Sequence, residues 1–291
     1  MTTLQTADAI ADAGTTTGPI GEAVAAGLLP GRVWVYSNYH CNLSCTYCLT
    51  ESSPDVDRRS VSGDQMRRIA VEAAELGFTA LGVTGGEPML APDIVGTVAD
   101  MADVLATVVL SNATLFTDVQ IRRLAPWAER DVSVQVSLDS PDPDVNDAAR
   151  GEDNFAKVVD AIPRLVDAGI HVRIATTSTS MDPTDSERLC ALHRSLGVSD
   201  DDHIVRPVIR RGRGVEIDGG VDAGQRDLPA ELTVTADGAF WSPFGPTVRG
   251  GILDTDLLIT RTTSPLRTPA EALLGLVNGR PAGEDAVLNI R

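Results

Sequence analysis

The sequence predicts an α/β protein built on a parallel barrel, closed or open, over about residues 31 to 210. Two observations carry this expectation. Strand-sized apolar runs recur six times, separated by segments of helical spacing. The connections between them are long enough for parallel crossovers. Beyond Arg210 the pattern changes to Gly-rich loops, a hairpin and a last helix, which reads as a smaller cap.

In chain order, residues 1 to 30 are rich in Ala, Thr and Gly and are punctuated by Pro30-Gly31, an N-terminal extension. Val33-Trp34-Val35-Tyr36 is the first strand and leads into a cysteine-rich loop. Met66, Ile69, Ala70, Ala73 and Leu76 recur at helical spacing, with Ser62 or Asp64 as cap and Gly77 as stop. Thr79 to Thr84 is a buried strand that ends in Gly85-Gly86-Glu87-Pro88. Helices are expected near 92–104, 118–126, 154–168 and 184–196, alternating with strands at 106–110, 132–138, 170–176 and about 203–209. In such folds chemistry sits at the carboxyl ends of the strands, so the loops after Tyr36, Thr84, Leu110, Leu138 and Thr176 should line one mouth. Leu232 to Thr235 with Asp237-Gly238 reads as a hairpin, and 269–278 as the final helix.

Composition narrows the class. With 43% hydrophobic and 22% charged residues over 291 positions, the chain is an ordinary globular protein that needs no disulfides to fold. No apolar run reaches spanning length, and no basic segment precedes an apolar one near residue 1, so the cytoplasm is the expected compartment. The net charge of −17 opposes phosphate backbones and anionic surfaces, which argues against nucleic acid and membrane partners. Lys157 is the sole lysine, an imbalance that reflects base composition more simply than chemistry.

Cys41, Cys45 and Cys48 form a C-x3-C-x2-C triplet, while Cys190 stands apart. A structural zinc site wants a fourth ligand, and His40 adjoins Cys41 too closely to converge on the same ion. A four-iron cluster usually takes four thiolates; with three, one iron keeps an open position for a chelating ligand. A buried trio without metal is the remaining reading.

With Tyr47 completing C-x3-C-x-aromatic-C, and Gly85-Gly86-Glu87-Pro88 about 40 residues further on, the chain resembles the radical S-adenosylmethionine (radical SAM) enzymes. The resemblance implies a partial (β/α)6, TIM-like barrel and one [4Fe-4S] cluster on Cys41, Cys45 and Cys48. It also implies S-adenosylmethionine on the open iron, and reductive cleavage to a 5′-deoxyadenosyl radical that takes hydrogen from substrate. By the same resemblance the backbone at Tyr47 faces adenine, Gly85 and Gly86 admit the ligand closely, and Glu87 or nearby carbonyls accept from the SAM ammonium, with Pro88 ending the motif. Ser111 and Asn112 resemble the polar loop that reaches SAM, and Ser137 the S-L-D strand end. Arg150 resembles the arginine that pairs with the SAM carboxylate, although Glu152-Asp153-Asn154 departs from the usual small residues there.

Residues 211–291 resemble the start of the SPASM and Twitch extensions, but Ser242-Pro243-Phe244 stands where a Pro-Cys is expected. No cysteine follows Cys190, so a cap without an auxiliary cluster is expected. Arg206-Pro207 and Arg210 to Gly214 resemble the segment at the last barrel strand, facing either the mouth or solvent. Cys190 reads as packing on an outer helix, with a thiol hydrogen donor as the alternative. No catalytic side chain is assigned.

The expected reaction is hydrogen abstraction during modification of a ribosomal peptide, with flavodoxin or ferredoxin as electron donor. Residues 1 to 30 are too short for a leader-recognition module, so a separate leader-binding protein is expected. The alternatives are epimerisation, dehydration or dehydrogenation of a small sugar or amino acid derivative, and a silent iron–sulfur or zinc scaffold.

Overall fold

Strands buried on both faces read as continuous apolar runs. In a computed structural model, which describes residues 18–179 and 182–278, the six runs form β1 (Arg32–Asn38), β2 (Ala80–Gly85), β3 (Ala106–Ser111), β4 (Val132–Ser137), β5 (His171–Ser178) and β6 (His203–Pro207). Each pairs in parallel with the next in chain order. The first 17 residues of the expected extension lie outside the described residues.

Among the described residues, eight helices precede or separate these strands: α1 (Pro19–Ala25), α2 (Gly63–Leu76), α3 (Ile94–Ala102), α4 (Asp118–Arg123), α5 (Ala125–Ala128), α6 (Pro143–Arg150), α7 (Asn154–Asp167) and α8 (Pro183–Ser195). Ser62 caps α2 by accepting from the Gln65 N–H, and Gly77 closes it. The single helix expected over 118–126 is two. Pro126 brings no N–H to bond back to the preceding turn, so α4 ends at Leu124 and a new short helix begins. The sequence reading did not anticipate α6. It starts on Asp142, whose carboxylate accepts from the Asp144 and Val145 N–H groups, with Pro143 in its first turn, and it ends at Arg150.

The C-terminal segment adds β7 (Thr233–Thr235), β8 (Gly238–Phe240), β9 (Val248–Arg249), β10 (Ile252–Leu253), β11 (Leu258–Thr260) and α9 (Arg267–Asn278). The expected hairpin is β7–β8, paired from Thr233↔Phe240 to Thr235↔Gly238. Its strands continue the barrel sheet: β7 runs parallel to β1, and among the described residues the order is β11-β8-β7-β1-β2-β3-β4-β5-β6. Among the described residues β6 and β11 do not pair, so the sheet stays open. The core lies between strands and helices, where Val33, Val35, Leu81, Val109 and Val134 meet Met66, Ile69, Val98, Ile162 and Leu189.

His193 on α8 is fully buried and meets His203 edge-on at 4.4 Å. Neither of its ring nitrogens has a partner. Burial, with the neighbouring His203, pushes its pKa from 6.5 down to about 4. The unfolded chain therefore binds a proton that the folded chain refuses, and stability falls as pH drops from 6.5 towards 4. At about 1.4 kcal/mol per pH unit, roughly 3 kcal/mol is lost across that window. Urea midpoints at pH 7 and pH 5 measure this; in His193→Leu the gap between them should shrink.

Candidate active site

The loop after β1 carries the three cysteines, and a single arginine from beyond β6 fastens it. Arg213 donates from Nε to the Cys45 carbonyl at 2.8 Å and from Nη2 to the Ser52 carbonyl at 2.6 Å, while its own N–H reaches the Cys48 carbonyl at 3.0 Å. Cys41, Cys45 and Cys48 then line one solvent-open cavity at the carboxyl ends of the strands. Tyr47, Gly85, Gly86, Ser111, Asn112, Ser137 and Arg150 line it too. The structure thus brings together ten of the twelve residues singled out from the sequence.

Glu87 and Pro88 are not among those lining residues. The Glu87 side chain is fully buried and folds back as a hub. It accepts from Ser111 Oγ at 2.9 Å, the Asn112 N–H at 2.8 Å and the Met89 N–H at 3.0 Å. Burial raises its pKa, and these three donors oppose the rise. Its carboxylate therefore positions Ser111 and Asn112, and of the two acceptors expected for the SAM ammonium, Glu87 or its neighbouring carbonyls, the carboxylate is the one already occupied by three donors. Asn112 in turn donates from Nδ2 to Asn42 Oδ1 at 3.0 Å and to Cys41 Sγ at 3.6 Å. Pro88 opens a short 3₁₀ turn.

The two glycines also serve a nearer neighbour than a ligand. A Cβ on Gly85 would lie 2.2 Å from the Asn38 carbonyl oxygen, and one on Gly86 2.1 Å from that of His40. Only residues without Cβ let the end of β2 press onto the entry to the cysteine loop, where Gly86 N–H bonds Asn38 O at 2.8 Å and Glu87 N–H bonds His40 O at 2.9 Å.

Arg150, whose carbonyl lies 3.8 Å from Cys45 Sγ, sits with Tyr47 and Asp139. Its Nη1 donates to the Tyr47 hydroxyl and to Asp139 Oδ2 at 3.3 Å, and the Tyr47 hydroxyl donates to the same carboxylate. Asp139 also accepts the Thr177 N–H at 2.9 Å, which ties this cluster to the end of β5. Nε of Arg150 is buried without a partner. Sequence reasoning passed over Asp139 in favour of Ser137, and it could not place Arg213, whose partners lie more than 160 residues away. Arg211 packs beside the loop, forked onto Asp256 at 2.8 and 2.6 Å. The fully buried Ser242, with Pro243 and Phe244 on the cavity wall, fills the stretch where the SPASM resemblance places a thiolate.

A family model described as "Radical SAM superfamily" matches residues 35–191, more than half of the 291. The chain belongs to the radical SAM superfamily. Among its curated relatives are GTP 3′,8-cyclase of Yersinia pestis, 30% identical over 52% of this chain and 46% of that protein. The subtilosin biosynthesis protein AlbA of Bacillus subtilis is 31% identical over 55% and 36%. The mycofactocin maturase MftC of Mycolicibacterium smegmatis is 31% identical over 62% and 45%. This radical SAM chain thus matches about half or less of the length of these relatives. Streptococcus suis SuiB bound to precursor peptide SuiA has a similar fold, with a TM-score of 0.57, 18% identity and coverage of 71% of this chain and 46% of that one. So has native anSMEcpe with bound AdoMet, at 0.59, 14%, 82% and 79%.

The residues fit the cluster and the SAM that this family implies. Burial pushes the Cys41 thiol up to about 12 and raises that of Cys45 as well. Burial thus favours the neutral thiols, and ligation as thiolates would require the cluster to displace those protons. Among the described residues no three His, Cys, Asp or Glu side chains converge closely enough for a single ion. Arg150, on the same cavity with an unpartnered Nε, offers the fork that a carboxylate takes. Cys190, by contrast, lies on α8 near His203 Nδ1, at 4.0 Å, outside this cavity.

Proposed function

We propose that the chain is the catalytic core of a radical SAM enzyme that abstracts hydrogen from a carbon of a ribosomal peptide. The observation that carries this reading is the convergence of Cys41, Cys45, Cys48 and Arg150 on one open cavity. The peptide branch draws support from the relatives named a biosynthesis protein for subtilosin and a maturase for mycofactocin. A four-iron cluster on the three cysteines, with SAM, supplies reductive cleavage of the sulfonium and the power to break a C–H bond. The chain's own residues bind and orient. Arg150 receives the SAM carboxylate on its free edge while Asp139 and Tyr47 hold its other side. Ser111, Asn112 and Ser137, with the backbone at Tyr47, Gly85 and Gly86, border the same bound ligand. Trp34, Leu110 and Phe244 add apolar wall to the same cavity. One cluster, an external donor such as flavodoxin or ferredoxin, a cytoplasmic setting and a separate leader-binding protein complete the reading.

Small-molecule chemistry is the second reading, on the strength of the likeness to GTP 3′,8-cyclase. Incubating anaerobic, cluster-loaded protein with SAM, reduced flavodoxin and the precursor peptide encoded nearest its gene separates the two. A changed peptide mass with matching 5′-deoxyadenosine supports the first; an unaltered peptide alongside conversion of a phosphorylated or amino acid metabolite supports the second.

A further inference from the structure

Below the cysteines the barrel interior is charged. Glu231 accepts from Trp34 Nε1 at 2.5 Å and lies 4.0 Å from Arg32. Arg173 lies 3.9 Å from Asp202. Arg206, on β6, lines the cavity and is the exception. Among the described residues no carboxylate stands within 4.0 Å of it. Its Nη2 reaches only the amide oxygen of Gln135, at 3.5 Å, and its Nε is buried without a partner. Burial, with Arg173 and Arg32 nearby, lowers its pKa to about 10, so it stays charged at neutral pH. Glu231 is the acid that opposes this, and it is already committed to Trp34 and Arg32.

Arg206 is half-buried, and a guanidinium whose Nε is buried without a partner is costly unless a ligand completes it. Nε and the adjacent Nη form a planar fork that fits the two oxygens of a carboxylate. Trp34, Val208 and Phe244 on the same wall keep water away and strengthen such a pair. Arg150 lines the same cavity, but its free edge is the one assigned above to the SAM carboxylate. We infer that Arg206 is the substrate anchor of this cavity and seats a carboxylate, the side chain of a Glu or Asp in the peptide substrate.

The inference rests on the peptide reading, so its test needs no turnover. Calorimetric titration of the cluster-loaded, SAM-bound protein compares acetyl-Ala-Glu-Ala-amide with acetyl-Ala-Gln-Ala-amide. N-acetylglutamate and inorganic phosphate serve as further probes. The Glu peptide should bind about tenfold more tightly than the Gln peptide, the scale of one charge-assisted hydrogen bond. Arg206→Met should erase that preference and Arg206→Lys retain part of it. SAM affinity in both variants should stay within about twofold of the parent, which also reports that they fold. Equal binding of the two peptides, no binding of any acid, tighter binding of phosphate, or a preference that survives Arg206→Met would each overturn the proposal. A tenfold or larger loss of SAM affinity in Arg206→Met would also overturn it, by giving the residue to the cofactor. If N-acetylglutamate binds through Arg206 and neither peptide does, the carboxylate site stands and the peptide reading falls.

Discussion

Reconstituted anaerobically, the chain should hold about four irons, and replacing Cys41, Cys45 and Cys48 together by Ala should remove all of them. The three thiols line one cavity, and the fourth cysteine, Cys190, lies on the outer helix α8. Iron and sulfide analysis, with the visible absorbance of the cluster, measures the outcome. Formation of 5′-deoxyadenosine from SAM should vanish in the same variant, while Cys190→Ala keeps both. Iron retained by the triple variant would place a second centre elsewhere. One zinc per chain in the parent would instead restore the scaffold reading.

Glu87→Ala should destabilise the folded chain by about 3 kcal/mol or more. Its carboxylate satisfies three buried donors, on Ser111, Asn112 and Met89. Each donor left without a partner costs about 1–3 kcal/mol. Glu87→Gln keeps the shape but turns an N–H₂ towards one of those donors, so it should recover only part of the loss. Urea denaturation gives both numbers. Because Asn112 also reaches Asn42 and Cys41, the Ala variant should bind SAM less tightly even where it remains folded. A Glu87→Ala protein with parental stability and weakened SAM binding would instead return the carboxylate to direct ligand contact.

The barrel strands were legible because each is a short β-branched run closed by a turn signal, as in Val132 to Ser137. The cysteine triplet was legible because its ligands are local in sequence. What escaped notice depends on distance or on polarity. Helix α6 reads Pro-Asp-Val-Asn-Asp-Ala-Ala-Arg, too polar to show an apolar stripe, and only the Asp142-Pro143 start announced it. Arg213 gave no signal because the carbonyls it holds lie at Cys45 and Ser52. The hydrogen bonds of Glu87 were hidden for a different reason: a carboxylate beside two glycines says nothing of Ser111 and Asn112, which come from the next strand end and meet it only in the fold. Arg206 could not be assigned to mouth or solvent, since that choice depends on which face of β6 turns inwards.

The place of β1 in the sheet bears on how this protein can be cut, joined or repaired. Its Trp34 and Val35 pair on one side with β2 and on the other with Thr233 and Val234 of β7. A fragment that stopped at Arg210 would leave that second side bare, beside the loop that carries all three clustered thiols. An unpaired apolar strand is a template for a neighbouring molecule. The β7–β8 hairpin covers that side, so the strand that carries the cysteine loop presents no bare edge to another chain.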